Sequence, residues 1–289
     1  MISMLHHTYR QNTRGVALVA VLWIVAALSL MVTGLSQAVR SEIRTITTTR
    51  QTVVATAIAQ AAIQLALQKL KVLAPLPNKV IQIQVTFEGQ TLAVEAMPLN
   101  GLIDINNAPG ALLALLYNTA GHLDMTSATA LAQNTTDTRS IQDTRGRPLG
   151  FESIEDLMRV PGMSYPLYAS IAPLVTADSR SGGRVNPLAA PLPVLAVLAE
   201  GNVTNAANFV NQREAGETNP DTTLLNGQYL DTSSSTRMRL EVRVPLSGSG
   251  QLVRTSIINL SDNRAQGLPW RIYYSYQRTE SPTPSAPHS

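Results

Sequence analysis

Twenty consecutive positions, residues 16–35, carry no charge. At 1.5 Å per residue, a helix of that length spans a hydrocarbon core of ~30 Å. A soluble core helix would need apolar neighbours on every face to use such a run. A secretory signal peptide is the nearer rival, but its apolar stretch is shorter and a small-x-small cleavage site follows it. No break follows here. From residue 36 to about residue 73 there is no Pro and no Gly. Apolar residues recur at spacings of three and four, through Val39, Ile43, Ile46, Val53, Val54, Ile58, Ala62, Leu65 and Leu70. One helix over residues 16–73 is expected, with 16–35 in the membrane and the rest amphipathic. It would be ~87 Å long. The threonines at 45, 47, 48, 49 and 52 weaken its intrinsic propensity, so Ile43, Ile46, Val53, Val54 and Ile58 are the expected partner-helix contacts. Pro75 and Pro77 end it.

Beyond the prolines the period changes to two. Residues 79–87 alternate, with Ile81, Ile83, Val85 and Phe87 on one face. Glu88-Gly89 turns the chain and residues 91–96 return, predicting a hairpin. A second hairpin is predicted over residues 236–260, with Met238, Leu240, Val242 and Val244 inward and Arg237, Arg239, Glu241 and Arg243 outward. Its turn is Ser247-Gly248-Ser249-Gly250. Between the hairpins lies an internal repeat at an offset of 82 residues. It matches Gly101 with Gly183, Ala108-Pro109 with Ala190-Pro191, Leu113-Ala114 with Leu195-Ala196, and Leu116 with Leu198. Ile103 corresponds to Val185, and Asp104 to Asn186. Each copy reads as an extended entry, a polar cap, a proline near the first turn and an apolar helix. A second helix follows each, over 127–133 toward Arg139 and over 204–213. Residues 151–160 form a further short amphipathic helix. The expected domains are residues 1–15, 16–73, 74–100, 101–225 and 226–265, then 266–289 as a C-terminal extension, disordered at the end.

Composition removes several function classes. There is no Cys, hence no disulfide, thiolate metal site or thiol nucleophile. The formal net charge is +3, too small for a nucleic-acid footprint, and only three of the 22 basic residues are Lys. Val160-Pro161-Gly162 resembles a helix-hairpin-helix joint. However, Ser164 replaces its second glycine and only Arg159 is adjacent, so helical packing is the reading and no nucleic acid is expected. Of four His, only His122 lies outside the two ends of the chain, and no catalytic motif is present, so no enzyme is expected and no catalytic residue is assigned. Asp178, Asp221 and Asp231 read as loop carboxylates. Aromatic residues are 4% of the chain, and their densest patch is Trp270, Tyr273, Tyr274 and Tyr276 with Arg271 and Arg278. Partner contact and local packing are both open for it.

Arg14-Gly15 followed at once by a long Val/Ala/Leu helix resembles the leader of type IV pilins and type II secretion pseudopilins. The resemblance implies that a prepilin peptidase cuts between Gly15 and Val16 and methylates the new N-terminus. The family's usual glutamate at the fifth mature position is Ala20 here. A buried unpaired carboxylate is costly in a membrane, so its absence suits a subunit with no neighbour above it. Residues 104–109, 155–162 and 186–191 likewise resemble segments of the K component, the largest minor pseudopilin, although Pro187 and Leu188 depart from the pattern. The implied fold is α+β: a long N-terminal transmembrane and amphipathic pilin helix, a pilin-like antiparallel sheet body, and a large inserted all-helical domain. The implied role is a non-enzymatic tip subunit that nucleates or caps a pseudopilus for protein export. Its implied partners are the other minor pseudopilins in a hetero-oligomeric tip complex, the major pseudopilin, the prepilin peptidase and the inner-membrane secretion platform. The implied location is the bacterial inner membrane, single-pass, with the C-terminal domain in the periplasm. Calcium is implied by resemblance only, with no metal ligands assigned. The alternatives are a priming protein of a type IV pilus and a membrane-anchored periplasmic interaction module.

Overall fold

The computed structural model describes residues 13–178, 182–217, 220–246, 250–261, 267 and 269–281. The expected basic leader as far as residue 12, the turn at 247–249 and the tail beyond residue 281 lie outside the described residues. In chain order the elements are α1 (Thr13–Val72), β1 (Ile81–Phe87), β2 (Gln90–Pro98), β3 (Ile103–Asp104), α2 (Gly110–Thr119), α3 (Met125–Ser140), α4 (Tyr165–Ile171), β4 (Val175–Thr176), α5 (Leu192–Leu198), α6 (Val203–Glu214), β5 (Arg237–Leu246), β6 (Gly250–Asn259) and β7 (Arg271–Glu280). Short 3-10 helices join them, notably Ile154–Arg159 and Gly227–Tyr229. Two compact units divide between Val54 and Ala55.

In the first unit the apolar stretch of α1 is exposed, with Leu18 at 74%, Trp23 at 72% and Met31 at 76%. Surface of that kind needs an apolar surrounding. In the second unit α1 changes character. Ala55, Ile58, Ala59, Ala62, Ile63, Ala66, Leu67 and Leu70 are buried, alternating steps of three and one. That stripe is one helical face. The four alanines let the helix approach the sheet, while Ile63, Leu67 and Leu70 fill the space between. At its end Lys69 and Lys71 sit where the helix dipole favours cations, and Lys71 Nζ donates to Leu260 O at 3.2 Å.

The sheet is antiparallel in the order β1-β2-β5-β6-β7. Glu88 and Gly89 both take positive φ, 48° and 77°, as a tight two-residue hairpin requires. Ile83, Val85, Val94, Met238, Leu240, Val242 and Val244 face α1 and form one core with it. The register pairs Val94 with Val242 and Pro98 with Met238, so β2 and β5 are direct neighbours. All residues between them form an insert with a core of its own, built on Leu112, Leu113, Leu116, Tyr117, Leu157, Val194, Leu195 and Phe209.

Four expectations need correction. The insert is not all helical, because β3 and β4 form a two-stranded parallel pair. It does not end at residue 225: Val185 N donates to Tyr229 O at 2.8 Å and Asp231 N to Val185 O at 2.9 Å, which ties residues 229–231 to it. Residues 271–280 are not an extension but the fifth strand of the sheet. Arg237, expected in solvent, is 4% exposed beneath the insert, where it pairs with Asp178.

Candidate functional site

The positions expected to carry function fall into two groups. The first lies on α1. Gly15 and Val16 are helical, and Ala20 is exposed. The side chains of Val16, Ile43 and Ile46 lie outside the described residues. Val53 and Val54 are 63% and 48% exposed. Ile58 is not: at 7% exposure it belongs to the chain's own helix–sheet core. By length and composition Thr47–Val72 is apolar enough to cross a membrane, but 44% of its apolar window is buried. Its stripe against the sheet accounts for that burial, so it is the body helix. Leu18–Ser29 is a shorter apolar segment, exposed along its length and compatible with a membrane anchor.

The second group is the insert, which the structure resolves into two copies of one module. Asp104 Oδ1 accepts from Asn106 N at 2.9 Å, and Asn186 Oδ1 accepts from Leu188 N at 3.0 Å, bonds displaced by the repeat offset. Arg139 Nη1 donates to Ile105 O at 2.9 Å and Ala108 O at 2.8 Å. Arg213 Nη1 donates to Pro187 O at 3.2 Å and Ala190 O at 2.7 Å, the equivalent carbonyls. Each arginine, from the end of the second helix of its module, satisfies carbonyls that the entry loop cannot pair. Burial lowers the pKa of both guanidinium groups, and Asp104 and Tyr117 partly offset this for Arg139. The second helices start alike, capped by Asp124 on Ser127 N and by Asn202 on Asn205 N, both at 3.0 Å. Ile103 pairs with Val175 in parallel, and Val185 with Leu230.

The modules meet reciprocally. A Cβ on Gly101 would lie 2.6 Å from the backbone of Ala189, and one on Gly183 would lie 2.1 Å from Asn107 O. Asn107 and Ala189 are themselves repeat equivalents, so each copy presses its glycine on the same loop position of the other. The sequence repeat revealed the glycines. It did not reveal the arginines, because the second helix is shorter in the second copy and the 82-residue offset no longer holds there.

The aspartates are not brought together. Asp178 pairs with Arg237. Asp231 accepts from Ser233 N and Oγ, both at 2.9 Å. Asp221 accepts from Thr223, and that bonding holds its carboxyl below the usual range. Among the described residues no three His, Asp or Glu side chains gather at a metal-sized site. Near 156 the structure shows a local role: Asp156 Oδ2 accepts from Glu152 N at 2.8 Å and Ser153 N at 3.2 Å, starting the 3-10 helix. Leu157 and Val160 from this segment fill the insert core.

The fold defines a class: an α+β body with a duplicated insert, preceded in the chain by a long apolar helical stretch. No family model matches the chain, and no curated protein matches it. Among solved structures it is similar to a chain of the GspK-GspI-GspJ complex from the enterotoxigenic Escherichia coli type 2 secretion system. The identity is 16% and the TM-score 0.47, over 83% of this chain and 98% of that one. At those values the likeness carries no argument about family or function.

Proposed function

We propose that this chain is a minor pseudopilin of the K type, a structural subunit at the tip of a type II secretion pseudopilus. One observation carries the reading: a helix-on-sheet body with a duplicated domain inserted between the adjacent strands β2 and β5. Such an insert hinders stacking along a filament and is tolerated at its end. The Arg14-Gly15 junction, the uncharged run after it and Ala20 support the same reading. On this proposal the peptidase cuts between Gly15 and Val16 and the amine of Val16 is methylated. The chain crosses the inner membrane once, with its body in the periplasm. It joins other minor pseudopilins through Ile43, Ile46, Val53 and Val54, and Ile58 is left out because its own sheet covers it. The major pseudopilin and the inner-membrane platform follow as partners. Calcium rests on resemblance alone, and the three aspartates considered for it are engaged locally.

The test is the intact mass and N-terminal sequence of the protein from membranes with and without the prepilin peptidase. A chain starting at methylated Val16 only when the peptidase is present supports the proposal. An uncut chain, or one cut beyond residue 35, sinks it. The tip position is tested separately by Ala20→Glu, which should impair tip assembly or secretion. Normal secretion and normal complex formation by that variant refute the tip argument.

A further inference from the structure

A cleft in the first module is used by none of the contacts above. It encloses about 520 Å³, within the range of small-ligand sites. Two helices wall it. On α3, Met125, Thr129, Ala132 and Gln133 stand at helical intervals that share one face. On α2 the lining includes Gly110, Ala111 and Ala114, all small. In the second module the positions of Gly110 and Ala111 carry Leu192 and Pro193, so this space comes from residues the second copy does not share.

The polar groups that line this apolar wall favour a donor. Glu200 is the one charged residue among them. It takes φ 54°, a left-handed conformation uncommon for a residue with a side chain. Asn226 braces it: Nδ2 donates to Glu200 Oε1 at 2.8 Å, while Asn226 Oδ1 accepts from Gln228 N at 3.1 Å. Glu200 has no ion pair among the described residues. Gln133 gives its Nε2 to Asp137 at 2.8 Å, which leaves Oε1 as an acceptor. Tyr229 is 5% exposed. Its main-chain N–H and C=O are bonded to Asn226 O and Val185 N, so its side chain is what it offers the cleft. The phenol makes no hydrogen bond to another described residue, which is unusual for so buried a group.

We propose that this cleft binds a primary ammonium group on a linear aliphatic chain. Its three N–H donors match the second oxygen of Glu200, Gln133 Oε1 and the Tyr229 hydroxyl, and its chain lies along Ala111, Ala114 and Met125. An anion would meet Glu200 with no cation in the lining to offset it. The inference does not rest on the pseudopilin reading, since it uses only the first module and the turn at Tyr229.

The test uses the full chain in detergent micelles, with its methionine methyl groups labelled with carbon-13. Met125→Leu identifies the Met125 signal among the eight methionines. Four ligands are titrated at neutral pH: n-pentylammonium, n-pentanol, n-pentanoate, and Nα-acetyl-lysine methylamide. The site predicts a saturable shift of the Met125 methyl with pentylammonium, and at least ~tenfold weaker binding of pentanol and pentanoate. Glu200→Gln keeps an acceptor for Asn226 and should weaken pentylammonium at least ~tenfold. Tyr229→Phe should weaken it ~threefold, with a melting temperature no lower than the native chain's. Ala111→Leu, at an exposed helix position, fills the cleft without altering its polar groups and should abolish binding. Tighter binding of the lysine derivative than of pentylammonium assigns the ammonium to a lysine of a partner chain, and the reverse order assigns it to a free amine. Three outcomes overturn the proposal: no saturable Met125 shift with either ammonium ligand, binding of pentanol or pentanoate equal to that of pentylammonium, and binding unchanged by Glu200→Gln or Ala111→Leu.

Discussion

The reciprocal glycine contact between the two modules can be separated into its energetic parts by three alanine substitutions. Gly182 has φ +64° and nothing within 4 Å of an added Cβ. Gly182→Ala therefore costs only the left-handed backbone penalty, ~1–2 kcal/mol. Gly101 has no such φ, but its Cβ would lie 2.6 Å from the carbonyl of Ala189 and 2.8 Å from its Cβ. Gly101→Ala costs overpacking alone, ~1–3 kcal/mol. Gly183 combines φ +82° with a Cβ placed 2.1 Å from Asn107 O. The opposing loop cannot easily yield, because Asp104 holds Asn106 N and Asn107 Nδ2 while Arg139 holds Ile105 O and Ala108 O. Gly183→Ala should cost the two penalties together, ~2–5 kcal/mol. The order of loss is then Gly183 largest, with Gly101 and Gly182 each smaller. Urea unfolding of the full chain in detergent, followed by far-ultraviolet circular dichroism, reads the order through shifted midpoints. Hydrogen exchange at residues 104–108 and 185–190 reads it locally. If Gly183→Ala shifts the midpoint no more than Gly182→Ala, the modules do not meet as described.

Other expectations follow from particular contacts. Burial pushes the Tyr117 phenol up to about 12, with its hydroxyl 2.8 Å from Thr135 Oγ1. The folded phenol holds its proton above the ordinary value of 10.0. Stability from this group is therefore intact below pH 10 and falls, by up to ~3 kcal/mol, as pH rises toward 12. An alkaline melting series should show that loss in the native chain and not in Tyr117→Phe. Arg139→Met should cost ~2–4 kcal/mol, because it strands two carbonyls at once. Arg139→Lys should recover only part, and a urea midpoint unchanged by Arg139→Met would remove the proposed bracing. Asp178→Asn leaves the Arg237 guanidinium, 4% exposed, without its anion, and should cost ~3 kcal/mol in the same assay. Ala66→Leu should lose ~1–3 kcal/mol, because Ala66 is fully buried where α1 lies on the sheet. A neutral result there would place α1 farther from the strands.

What could be read from the sequence depended on whether its signal was local. The hairpin β1–β2 and the inward set Met238, Leu240, Val242 and Val244 were legible because period-two alternation is a local property. The uncharged helical run and the prolines after α1 were legible for the same reason. β7 was not, because a register shift opposite Ile257 and Ile258 interrupts its alternation and brings Tyr273 and Tyr274 together as neighbours. Its residues are also mostly exposed, so burial left no pattern to read. Ile58 and Val54 look alike in a heptad-like stripe, and only the position of the sheet separates a core residue from a surface one. Arg237 shares the outward face of β5 with Arg239 and Arg243, and only the insert above it decides that it is buried.

The pairing of Pro98 with Met238 has a consequence for how such a chain could arise. The insert leaves and rejoins the sheet at directly opposed residues, so its two ends stand one strand spacing apart, ~5 Å. A body joined there by a short hairpin loop would keep the same strand order and register. The cost of closing a loop grows only logarithmically with its length, so exchanging that loop for some 140 folded residues charges the sheet ~3 kcal/mol or less. Gain, doubling or replacement of the insert is therefore nearly invisible to the body. Selection could reshape the insert while the long helix and the sheet it packs on remained under separate constraint.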